Sequence, residues 1–258
     1  MADALYVPEG ATFVPGPMTE GPWSPDAQHG GPVAALLARS AEAVPAPGPM
    51  QVVRLTVELL RPVPMRPLRV AARVSRPGRK VQLVDAALSV DGQDVAWARA
   101  LRIRTAPVDL PHQDPIPPSP GPPEAFASPR DAHTRTPFAQ AVELRFVEGS
   151  WEEPGPVTMW TRLTVPVVAG EEPSPMQRTA AAADFGNGVS RILDFATHVF
   201  INADLTVSLS SRPVGEWIGF AAVSRLSPEG YGQAESRIFD PSGPVGRATQ
   251  SLFVESRA

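Results

Sequence analysis

Three polar residues in the second half of the chain, Asp204, Ser224 and Gln250, offer a carboxylate, a hydroxyl and an amide at positions that read as strand. Subtracting 150 places them against Arg54, Val74 or Ser75, and Ala100 or Arg99, so one half holds a polar set that the other mostly lacks. A second chemical feature lies in the first half. Gly30 and Gly31 stand just ahead of a helix-forming run, Pro32-Val33-Ala34-Ala35-Leu36-Leu37, where backbone N–H groups are bare and the helix end carries partial positive charge. Such a place suits a developing oxyanion. Plainer readings stand beside these. The two glycines can simply permit a tight, closely packed turn. Asp204 can be a solvated strand-end carboxylate or pair with Arg54, Gln250 can satisfy a buried backbone group, and Ser224 can be an edge hydroxyl. His29 reads as a turn residue or cap with no chemical role, and Trp23 and Trp217 as core or groove-lining residues.

The elements that must position these residues are written twice. Leu55-Thr56-Val57 recurs as Leu205-Thr206-Val207, Arg61-Pro62 is answered by Arg212-Pro213, and Ala71-Ala72 by Ala221-Ala222. Self-similarity at a long period signals a duplicated unit. In each half a helix precedes a run of strands. The first helix covers residues 28–42 and stops before Pro45, with Pro32 in its first turn, where a missing donor does no harm. Strands follow over 52–59, 68–74, 81–90 and 95–103, with Asp91-Gly92 as a hairpin turn. The second half offers strands over 142–146 and 158–165, then a helix over 176–184 that Gly186 and Gly188 break or cap. Strands over 204–209, 217–223, 232–239 and 246–253 follow, the last two joined at Pro241-Ser242-Gly243. Residues before 22 read as loop with one short strand near Thr12-Phe13-Val14. The predicted class is α+β, two antiparallel sheets each wrapping its own helix.

Ten of the chain's thirty-two prolines fall from Pro107 to Pro137, which excludes helix interior and central strand there. The domain reading is therefore 1–106, a proline-rich connector over 107–137, and 138–258. The 258 residues carry a formal charge of −4, against a phosphate-binding nucleic-acid surface. No apolar run reaches the roughly 20 residues a membrane span needs, and the N-terminus lacks the pattern of a secretory signal, so a cytoplasmic location is the expectation. The absence of cysteine removes disulfides, thiolate nucleophiles and Cys-type zinc sites. The four histidines (His29, His112, His133, His198) are scattered, so neither a metal nor another cofactor is expected.

Taken together, Trp23, His29-Gly30-Gly31-Pro32, Asn202-Ala203-Asp204-Leu205, Arg212-Pro213 with Glu216-Trp217, and Gly246-Arg247-Ala248-Thr249-Gln250-Ser251 resemble the acyl-CoA thioesterase II family, over nearly the whole chain. The resemblance implies a double hotdog fold and hydrolysis of acyl-CoA without a covalent intermediate. In that family an Asp, a Thr or Ser, and a Gln hold and activate a water. By position these correspond to Asp204, Ser224 and Gln250, with the oxyanion at Gly30 or Gly31. Arg54, Arg61 and Arg79 are the arginines available for CoA. A non-catalytic acyl-thioester or lipid-binding protein of the same fold is the alternative. A hydratase of that fold would pair an Asp with a nearby His, and His29 is the only histidine near the first helix turn. Open sheet edges make homo-oligomer formation the expectation.

Overall fold

The computed structural model describes residues 4–110, 118–128 and 136–257. Alternation of apolar and polar residues gives most strands one buried face, seen most cleanly on β5 (Val81–Val90), where every second side chain is buried. The other strands of the first half are β1 (Tyr6–Glu9), β2 (Thr12–Pro15), β3 (Met50–Leu59), β4 (Leu68–Arg76) and β6 (Gln93–Arg104). Those of the second are β7 (Val142–Glu148), β8 (Val157–Leu163), β9 (His198–Asn202), β10 (Asp204–Leu209), β11 (Trp217–Ser227), β12 (Tyr231–Asp240) and β13 (Gly243–Ser256). They form one antiparallel sheet in the order β1-β2-β4-β5-β6-β3-β10-β13-β12-β11-β8-β7, with β9 also paired to β13.

The two halves meet where β3 pairs with β10, and the matched triplets are the residues that meet. Leu55 lies opposite Val207, Thr56 opposite Thr206, and Val57 opposite Leu205. The two threonine hydroxyls are 3.2 Å apart. Leu55, Val57, Leu205 and Val207 all point into the core.

The helices α1 (Gly30–Ala43), α2 (Pro137–Gln140), α3 (Pro175–Ala183) and α4 (Phe185–Val189) lie on the buried side. α1 is apolar nearly all round, as a helix enclosed by sheet must be, and touches β3, β4, β5, β6 and α3. α3 lies on β8, β10 and β11, and α4 on β11 and β12. α1 and α3 run antiparallel. The start of α1 meets Asp184 at the end of α3, while Arg39 and Glu42 near the end of α1 bond Glu171, Ser174 and Gln177 around the start of α3. Alanines at 180–183 and at 34, 35, 38 and 41 keep the two axes close.

Several expectations differ from the structure in detail. The first residues form a hairpin, β1 with β2, in place of one strand. Beyond Ala183 the chain turns at Asp184 and continues as α4, which holds both Gly186 and Gly188. A side chain at Gly186 would crowd its neighbours: a Cβ there would stand 2.7 Å from Ser236 Oγ and 3.1 Å from Gln250 Oε1. β9 was not expected. His112, His133 and much of the proline-rich connector lie outside the described residues, and the described part includes a short 3-10 turn at Pro123–Ala125. Asp91 and Gly92 both adopt positive φ, 51° and 80°, the turn expected between β5 and β6.

A second apolar cluster, Trp160, Trp217 and Phe239, lies apart from the main core. Trp160 and Phe239 meet edge to face at 4.8 Å, and a Cβ on Gly219 would enter the Phe239 ring. Gly219→Ala is therefore expected to cost about 1–3 kcal/mol through overpacking. Urea denaturation measures it, and an unchanged midpoint would show that the ring yields freely.

Candidate active site

The N-terminus of α1 approaches the break between α3 and α4 because neither side carries bulk there. A Cβ on Gly30 would lie 2.7 and 2.8 Å from the two carboxylate oxygens of Asp184, and one on Gly31 would lie 2.8 Å from both Ala181 O and Phe138 Cε1. The tight approach brings a helix end and a buried carboxylate into contact, and the carboxylate is Asp184.

Three side chains converge on Asp184. His29 Nδ1 lies 2.8 Å from Oδ2, while Asn202 Nδ2 and Gln250 Nε2 donate to Oδ1 at 2.9 and 3.2 Å. Gln250 is itself held by the backbone: its Oε1 accepts from Asn187 N–H at 3.0 Å. Asn202 Nδ2 also donates to Asp204 O at 3.3 Å, which fixes the amide and leaves its Oδ1 free to accept. His29 is the N-cap of α1, with Nδ1 3.1 Å from Gly31 N. One nitrogen cannot serve both neighbours in one tautomer. With hydrogen on Nδ1, His29 donates to Asp184 and Nε2 is the ring's free acceptor; without it, Nδ1 accepts from Gly31. The imidazole packs beside Phe138 and Phe185, at centroid distances of 4.8 and 5.3 Å, and those two rings stack on each other at 5.2 Å.

Gly30 N–H has no hydrogen-bond partner among the described residues, as expected for the first amide of a helix. Gly30 also lines a cavity of about 880 Å³, together with His29, Asp184, Asn187 and Asn202. Trp23 and Phe195 stand on its walls. Buried Asp184, Phe185, Asn187 and Trp151 form its floor, and exposed Leu60, Arg61, Ile201, Phe253 and Arg257 its mouth.

The sequence-derived set is only partly brought together. Gln250 and the Gly30-Gly31 turn meet at Asp184, with Gln250 behind the carboxylate and Gly31 behind Gly30. Asp204 does not join them. Leu205 and Val207 point inward on β10, so Asp204, with Thr206, takes the opposite face and lies across from Ser251, whose N–H its Oδ1 accepts at 2.5 Å. Ser224 is on the inner face, but Ala234 stands between it and Gln250, two strand spacings or about 10 Å away. Its hydroxyl lies 2.8 Å from Ser190 Oγ at the end of α4. Asp184, Asn202 and His29, which the structure brings together with Gln250, were not among the expected site residues. Asp184 had one legible signal: a carboxylate ending an alanine-rich helix, where the dipole disfavours it.

Residues 19–103 match the acyl-CoA thioesterase N-terminal domain, and residues 107–254 match the acyl-CoA thioesterase C-terminal domain. The chain belongs to the acyl-CoA thioesterase family. Among solved structures, a hot dog fold protein of unknown function from Alicyclobacillus acidocaldarius superposes with a TM-score of 0.75 at 18% identity, covering 98% of this chain and 96% of the other. The tesB protein of Mycobacterium avium subsp. paratuberculosis gives 0.67 at 19% identity over 95% and 93%. The acyl-CoA thioesterase II TesB2 of Mycobacterium marinum gives 0.61 at 15% over 81% and 82%. These likenesses establish the hot dog fold. No curated protein matches the chain.

For this thioesterase-family chain, the close approach at Gly30 supplies a test of the site's construction. Gly30→Ala drives a methyl into the Asp184 carboxylate, so it is expected to lower activity of any kind at this site at least about tenfold while α1 still forms. Circular dichroism read beside an activity assay checks it; full activity would mean that Asp184 can retreat at no cost.

Proposed function

We propose that this protein hydrolyses acyl-CoA thioesters at Asp184, and that its two halves, residues 1–106 and 138–258, are the two hotdogs of a duplicated fold. One observation carries the functional reading: a buried carboxylate, held by two amides, packs against Gly30, whose unpartnered N–H opens α1. A thioester carbonyl is already electrophilic, so a positioned water and a stabilised oxyanion suffice. A water accepted by Asn202 Oδ1 and Asp184 attacks the carbonyl carbon and passes its proton to the Asp184–His29 pair. The carbonyl oxygen, now negative, is held by Gly30 N–H and the positive end of α1. Collapse of the tetrahedral centre breaks the C–S bond, and the departing thiolate takes up the proton. Asn202 and Gln250 keep the carboxylate in place, the advantage of a held reactant.

Asp184→Asn is expected to reduce kcat by about 10²–10⁴-fold, the range of a lost general base, whereas Asp204→Asn keeps it within about twofold because that carboxylate faces away. Thiol release from a series of acyl-CoAs measures both. The opposite ranking of the two variants would return the role to Asp204.

The His29–Asp184 contact favours a second reading, addition of water across the double bond of a 2-enoyl-CoA. Here the pair takes the water's proton as oxygen bonds C3, and C2 is protonated. Loss of enoyl absorbance without thiol release would select it over hydrolysis.

A further inference from the structure

The chain is acidic overall, yet its cavity is not. Among the described lining residues the only carboxylate is Asp184, at the floor, while Arg61, Arg191 and Arg257 border the same space. Arg61 and Arg257 are exposed and stand at the mouth. The Arg61 side chain makes no hydrogen bond or ion pair with any other described residue, and the Arg257 guanidinium makes only a 3.4 Å contact from Nε to His198 O. Arg191 is fixed more firmly: Nη1 donates to Trp151 O at 2.6 Å and the guanidinium lies over the Phe195 ring at 5.5 Å. Arg54 and Arg79, the other arginines suggested by sequence, are not among the lining residues.

Charges of one sign along a low-dielectric cleft concentrate the opposite charge, and guanidinium groups match phosphate oxygens in geometry. The floor has the opposite character, with Trp151 and Phe185 beside the reacting carboxylate. Between the two, the rim is apolar as well as basic: Ile201 and Phe253, opposite each other on β9 and β13, remain 37% and 48% exposed. A ligand that fits has an apolar end, a reactive centre at Asp184 and Gly30, and a polyanionic end outside.

Resting on the thioester reading above, we infer that Arg61 and Arg257, with Arg191 behind them, form a phosphate-binding rim that holds the nucleotide end of CoA while the acyl group lies on the aromatic floor. The rim separates CoA thioesters from thioesters of small thiols by charge.

The test uses the full chain and two probes, free CoA for binding and a matched pair of substrates, acyl-CoA and S-acyl-pantetheine, which lacks every phosphate. Arg61→Ala and Arg257→Ala change exposed side chains, so folding is spared. Each is expected to weaken CoA binding by about tenfold, as loss of a charge-assisted contact does, to raise KM for acyl-CoA with kcat retained, and to leave S-acyl-pantetheine hydrolysis within about twofold. Wild-type CoA affinity falls as salt rises. Equal CoA binding by wild type and variants, or equal losses on both substrates, would overturn the rim. Arginine-dependent CoA binding without any hydrolysis would keep the rim and overturn the thioesterase reading. Hydrolysis of S-acyl-pantetheine without CoA binding would do the reverse.

Discussion

The arrangement depends on a buried carboxylate that three side chains from three separate parts of the fold agree to hold. His29 comes from the start of α1, Asn202 from the end of β9, and Gln250 from the middle of β13. An uncompensated carboxylate in that interior would be costly, and the convergence of donors offsets the cost. It also dictates the glycines, since any side chain at Gly30 would occupy the space of the carboxylate itself. Packing, polar satisfaction and the geometry of the helix tip are thus one constraint.

That constraint spans both halves. α1 belongs to the first half of the chain, and α3, α4, β9 and β13 to the second. They stay in register because β3 and β10 pair residue by residue across the seam. The cavity follows from the same meeting, with walls from the Trp23 segment, the Leu60-Arg61 turn and the α4–β9 connection.

Much of this was legible in the sequence. Pro32 ahead of an alanine- and leucine-rich run marked α1 to within two residues at either end, and the duplicated Leu-Thr-Val triplets turned out to be the seam. Gln250 could be singled out because it interrupts an inward-facing row, Ala248-Gln250-Leu252, with an amide. Asp204 drew notice by its place beside a conspicuous repeat. The alternation of Leu205 and Val207 already set it on the outer face, a period-two argument that overrides resemblance of position. Asp184 was hard to see because its importance comes from a contact across about 150 residues of chain, with glycines whose closeness no local pattern reports. Asn202 and His29 were in view but had no partner to give them meaning.

Antiparallel packing of α1 and α3 has a further consequence. At the far end of the pair, Ser174, the N-cap of α3, donates to Glu42 near the end of α1, as His29 meets Asp184 at the near end. There, however, the helix opens with Pro175-Met176, and the methionine is fully buried where the other helix has glycine. Both ends of the pair are tied by a polar contact, and only one of them borders the cavity. One end is thus a filled joint between the halves, while the other keeps its void, its bare amide and its buried carboxylate.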